Sequence, residues 1–150
     1  MTIATGVQAV AEARYGRIEE SVAYMRMIGS TLGRTLPGSI NEMMPDYGCP
    51  AQAWTIYGIA VPILSELFGI NPHASKKVVV LQPNIPEGWD ELSVDNLAIG
   101  TNTLHYELKQ TDKEISIILR DSEPGWTYRI DESFLGGRTL HVDHATLPCH

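Results

Sequence analysis

One carboxylate in this chain stands where acid–base chemistry could use it. Glu42 lies in the aperiodic run PGSINEMMPDYGCPAQAW (37–54), beside Met43, Met44 and Pro45. Apolar neighbours strip water from a carboxylate, and desolvation raises its pKa toward the range useful for proton transfer. The residues alone favour a solvated or helix-capping glutamate. Asp46 belongs to a Pro45–Asp46–Tyr47–Gly48 string of turn type. Gln52 stands on an otherwise apolar stretch, where a buried amide must find hydrogen-bond partners. Trp54 and Tyr57 lie one helical turn apart, which by itself favours a core over a sugar-stacking platform. Cys49 has no histidine near it in sequence, which favours a small buried residue over a nucleophile. At the far end, His141, Asp143, His144, Cys149 and His150 are metal-ligating types, but HVDH followed by CH matches no zinc spacing. No metal and no cofactor is expected, and neither a Gly-rich phosphate loop nor a GxSxG turn is present.

The elements around these residues fall into two halves that meet near residue 72. Before it the period is helical. Val7, Val10, Ala11, Tyr15, Ile18, Val22, Met25, Ile28 and Leu32 recur at three- and four-residue steps, predicting one amphipathic helix over 6–32. Residues 50–68 (PAQAWTIYGIAVPILSELF) predict a second, with Pro50 in its first turn and Gly69 at its end. Gly58 and Pro62 inside it predict a bend or a tight contact. Being apolar on nearly every side, it needs cover from the sheet, from the first helix or from another subunit. From Lys76 onward the pattern is β. KKVVVLQP, ELSVDNLAIG, TNTLHYELKQ, KEISIILRD and GWTYRID are separated by turn clusters, with Thr111–Asp112–Lys113 as a hairpin loop. The fold class expected is α+β: two long helices over 1–72 packed on an antiparallel sheet or sandwich over 73–150. Asn71–Pro72 reads as a helix stop.

Bulk properties narrow the function classes. The 150 residues suffice to bury a core, with 43% hydrophobic and 19% charged residues. A net charge of −7 argues against nucleic acid or an anionic membrane as the main partner. Two distant cysteines give no disulfide framework, and MTIATGVQAV lacks the pattern of a signal peptide, so a reducing, cytoplasmic setting is expected. The longest apolar run, around Trp54 to Leu64, is too short to span a membrane.

The ordered string GSINEMMPDYGCPAQAW, the apolar stretch behind it and FGINP resemble the end of the catalytic toroid in six-hairpin glycosidases, most closely the amylo-α-1,6-glucosidase (glycogen-debranching) type. There a serine–x–glutamate precedes a Gly–Cys–x–x–Gln–Ala–Trp run; the matching residues here are Ser39, Glu42, Gly48, Cys49, Gln52, Ala53 and Trp54. Two residues rather than one separate Ser39 from Glu42. PNIPEGWDELSVDNLAIGTNTLHYEL is similar to the β-rich cap that follows the toroid, so the resemblance covers roughly residues 1–130. It implies an (α/α)6 barrel hydrolysing α-glucosidic bonds, typically with inversion by two carboxyl groups. Glu42 would be the general base, and Gln52, Trp54 and Tyr47, with Asp46 beside them, would face an α-glucan substrate. Such a toroid has twelve helices, and the general acid sits on an earlier one with no counterpart here. The resemblance therefore implies a C-terminal part that is inactive alone. Its partners would be an upstream catalytic polypeptide or further copies of the chain. The alternative is a non-catalytic module for carbohydrate binding or assembly.

Overall fold

The apolar stripe over 6–32 forms two helices rather than one. In the computed structural model, which describes residues 1–146, α1 spans Thr2–Arg14 and α2 spans Ile18–Gly29. Between them Gly16 adopts φ +77°, a left-handed conformation that glycine enters without a Cβ penalty. The Gly16 amide donates to Ala13 O (3.0 Å) and the Arg17 amide to Glu12 O (2.9 Å), a Schellman closure that ends α1. The Arg17 guanidinium also binds the Glu12 carboxylate, which takes a second bond from Gln8 Nε2 (2.5 Å). That pairing accounts for the burial of Glu12. Within the predicted stripe Val10, Val22, Met25 and Ile28 are buried, whereas Val7, Tyr15 and Leu32 are exposed.

The second predicted helix is short and composite. A 3-10 turn over Ala53–Ile56 leads into α3 (Tyr57–Val61), and a π-helical turn follows over Pro62–Leu67. Pro62 has no amide proton to donate, and the wider turn is closed instead by Phe68 N–H donating to Ile63 O (3.0 Å). The tight contact expected at Gly58 is with Gly6 of α1. A Cβ on Gly6 would lie 2.3 Å from Gly58 Cα. Cover of this stretch is incomplete, since Trp54 and Ile56 remain exposed.

The chain forms two compact units. One is helical, Met1–Gly69 with Pro83–Glu87; the other comprises Ile70–Gln82 and the chain from Gly88 onward. In the helical unit the segment 83–87 is held by Asn84 N–H to Leu67 O (3.0 Å), Asn84 Nδ2 to Ala13 O (3.3 Å) and the Glu87 amide to Glu19 Oε1 (2.8 Å).

The second unit holds two sheets. One has the order β1 (Ile70–His73), β2 (Val78–Leu81), β6 (Thr127–Ile130). The other runs β3 (Glu91–Ile99), β4 (Asn102–Gln110), β5 (Glu114–Asp121), β7 (Thr139–Thr146). The expected α+β class holds at this level. Two details of the expectation need correction. The sheets are mixed, because β2 pairs with β6 and β5 with β7 in parallel. The Asn71–Pro72 pair lies inside β1 and stops no helix. Alternation on β4 and β5 buries Leu104, Tyr106 and Leu108 against Ile115, Ile117 and Leu119. The hairpin at Thr111–Lys113 is closed by Thr111 N–H to Glu114 O (2.8 Å).

Candidate functional site

The segment 40–52 is a hairpin-like loop. The Gln52 amide donates to Ile40 O (3.3 Å), the Glu42 amide to Cys49 O (3.0 Å), and Met43 and Tyr47 exchange two bonds of 3.1 Å. The first turn of α1 ties the loop down. Thr2 N–H and Oγ1 both donate to Glu42 O (2.9 and 2.7 Å), and Oγ1 also meets Asn41 O. These bonds fix the backbone of Glu42 although the loop has no regular secondary structure.

The Glu42 side chain folds back across the hairpin. Its Oε2 accepts the Cys49 amide (3.1 Å), and its other oxygen takes no protein hydrogen bond among the described residues. Gly48 makes room for it: φ is +74°, and a Cβ there would stand 2.6 Å from Oε2. Any other residue would be strained in its backbone and would push the carboxylate aside. A carboxylate with one oxygen anchored and the other open is placed to accept a proton from water or a hydroxyl. No second carboxylate lies within hydrogen-bond contact of it among the described residues.

The other sequence candidates are brought together only in part. Asp46 sits at the exposed tip, and Tyr47 beside it is 64% exposed. Trp54, just past the loop, is also 64% exposed, which removes the core reading for its ring; Tyr57 is half-buried. Met43, Met44 and Pro45 are themselves exposed, so they remove little water from Glu42. Cys49 is exposed rather than a small buried residue. Ser39 Oγ donates to Leu36 O (2.8 Å) and has no bond to Glu42. Gln52 alone turns inward: it is 9% exposed, its Oε1 has no partner among the described residues, and it lines a cleft of about 520 Å3 bordered by Ile40, Ile56, Ile59 and Ala60.

A polar cluster in the β unit escaped the sequence reading. Asp121 Oδ2 accepts from His144 Nε2 (2.9 Å) and from Tyr128 OH (3.2 Å), while its buried Oδ1 has no partner among the described residues. Asn102 Nδ2 donates to Tyr128 OH (3.3 Å), and the Tyr128 and His144 rings meet edge to face at 4.9 Å. Burial, then the charge of Asp121, pushes the Tyr128 phenol well above its ordinary range. One sequence signal was available: Asp121 continues the alternation of Ile115, Ile117 and Leu119 and so falls on the buried face. Of the terminal metal-ligating types, His141 is exposed and Asp143 pairs with Arg120 (2.7 Å). Among the described residues no group of three potential ligands forms a metal site. Cys149 and His150 lie outside the described residues.

Comparison with protein-family models, curated proteins and solved structures finds no match for this chain. Among the described residues no helix is long and apolar enough to cross a membrane.

Proposed function

We propose that this chain is the C-terminal part of a glycoside hydrolase of the six-hairpin, amylo-α-1,6-glucosidase-like type, carrying the general base but not the general acid. The observation that supports it is Glu42: a carboxylate anchored at one oxygen by the Cys49 amide, in a loop tied to α1, with exposed Tyr47 nearby in sequence and exposed Trp54 just beyond. Inverting hydrolysis places a second carboxyl group about 6.5–9.5 Å from the base, leaving room for the attacking water. In this reading that group, and the helices that complete the toroid, come from an upstream polypeptide. Asp46 offers hydrogen bonds to sugar hydroxyls, and the two exposed rings offer stacking surfaces. The exposed thiol of Cys49 fits a reducing, cytoplasmic setting.

The test is complementation. The purified chain should release no glucose from an α-1,6-branched glucan, and release should begin when the upstream polypeptide is added. Glu42→Gln should then abolish turnover without changing the thermal midpoint. Hydrolysis by the chain alone, lost in Glu42→Gln, would overturn the division of catalytic groups.

The exposed apolar side chains favour a second reading, a non-catalytic assembly module. Val7, Met27, Leu36 and Ile56 are all exposed in the helical unit, apolar area that a partner surface would cover. Light scattering that shows a clean monomer at high concentration, with no binding of an apolar dye, would remove it.

A further inference from the structure

We propose that the cleft beside Gln52 binds a small molecule with an apolar body and a single hydrogen-bonding tip, such as an aryl or alkyl alcohol. This stands apart from the glycosidase reading, because a sugar ring carries a hydroxyl on most of its carbons and this cleft offers few polar partners. Its volume of about 520 Å3 falls within the range of small-molecule sites. Ile40, Ala53, Ile56, Ile59 and Ala60 supply an apolar wall, and Ile56 is 65% exposed at its border, apolar area that an occupant would cover.

The second observation is the amide in that wall. Gln52 is 91% buried by its 9% exposure, yet Oε1 meets no donor. The nearby hydroxyls are already committed elsewhere, Thr55 Oγ1 to Gln52 O (2.6 Å) and Ser39 Oγ to Leu36 O (2.8 Å). A buried unsatisfied amide oxygen costs about 1–3 kcal/mol, and native structures keep few of them. Oε1 as it stands is closed to solvent, and a flip of the terminal torsion exchanges the oxygen and nitrogen ends, so the amide can meet a ligand as acceptor or donor. A hydroxyl serves either way.

The experiment is a methyl and side-chain amide NMR titration of the full chain with p-cresol, toluene and maltose. The first two share a body and differ in the hydroxyl. Expected are saturable shifts of the Ile59 and Ala60 methyls and the Gln52 amide with p-cresol, and binding of toluene about tenfold weaker. Gln52→Met should level the two, and Ala60→Phe should abolish both by filling the cleft. The wild-type comparison stands even if either variant fails to fold. Equal affinity for p-cresol and toluene, or no saturable shift with either, would sink the proposal. Maltose moving these resonances while p-cresol does not would give the cleft to a sugar. Shifts that follow protein concentration alone would give it to a second copy.

Discussion

Gly6 and Gly58 meet backbone to backbone where α1 crosses α3. A Cβ on Gly6 would stand 2.3 Å from Gly58 Cα, whereas one on Gly58 would meet the end of Ile28 at 2.7 Å and Gly6 Cα at 3.0 Å. The first clash is with main chain and cannot be relieved by a rotamer. The nearest atom in the second belongs to a flexible side-chain tip. Gly6→Ala should therefore cost more than Gly58→Ala, about 3 kcal/mol or more against about 1–2, despite alanine's better helix propensity. Gly29→Ala, with nothing within 4 Å, should be neutral or stabilising by up to about 1 kcal/mol. Urea midpoints at constant m-value rank the three. Equal costs at positions 6 and 29 would show that α1 and α3 are not in backbone contact at this crossing.

Gly48 couples backbone shape to the Glu42 carboxylate. Gly48→Ala adds left-handed strain of about 1–2 kcal/mol and a clash with Oε2. Gly38→Ala, at φ +72° with open space around it, adds the strain alone. Gly48→Ala should lose more stability than Gly38→Ala, and only Gly48→Ala should move the Cys49 amide resonance and speed its hydrogen exchange. An unchanged Cys49 amide in Gly48→Ala would mean that its bond to Glu42 is not formed in solution.

What the sequence made legible follows the physics of burial. Strands β4 and β5 could be read because their alternation faces a buried side, as Leu104, Tyr106 and Leu108 show. β7 could not: nearly all of Thr139–Thr146 is exposed, and its histidines and aspartate suggested ligands more than a strand. Its parallel pairing with β5 depends on a crossover through β6, which no local period records. The break at Gly16 was hidden because the three-four spacing runs on through Tyr15, whose side chain is in fact exposed. The composition of 37–54 marked Glu42 and Trp54, but composition carries no depth. It did not separate the outward Trp54 from the inward Gln52.

One buried phenol and one half-buried phenol set an alkaline limit on stability. Burial raises the pKa of Tyr106 from its ordinary 10.0, and burial with the Asp121 charge raises that of Tyr128. Below about pH 10 both folded and unfolded chains keep these protons, and titration contributes nothing. Above it the unfolded chain releases protons that the folded chain retains, so stability falls as pH rises. For Tyr106, which is fully buried, the slope is about 1.4 kcal/mol per pH unit. The half-exposed Tyr128 adds a smaller, solvent-screened amount. Tyr106→Phe should flatten this limb of a pH–stability curve. An unchanged slope would show that Tyr106 ionises freely in the folded chain.

Asp121 is the bond between β7 and the neighbouring sheet residues. Its Oδ2 serves His144 on β7 and Tyr128 on β6, and its side chain is fully covered. Asp121→Ala strands two donors beside a new void, a loss of about 2–4 kcal/mol. Asp121→Asn keeps an acceptor for both and should cost less than half of that. β7 is otherwise held by backbone pairing to β5, the edge-to-face contact of the His144 and Tyr128 rings, and the surface pair Arg120–Asp143, which contributes little. Removing the buried acceptor should therefore loosen β7 before the rest of its sheet. Hydrogen exchange in Asp121→Ala should speed first at amides in 139–146, while those of β3 and β4 stay protected until global unfolding. Uniform acceleration across all four strands would mean that β7 opens only with the whole unit.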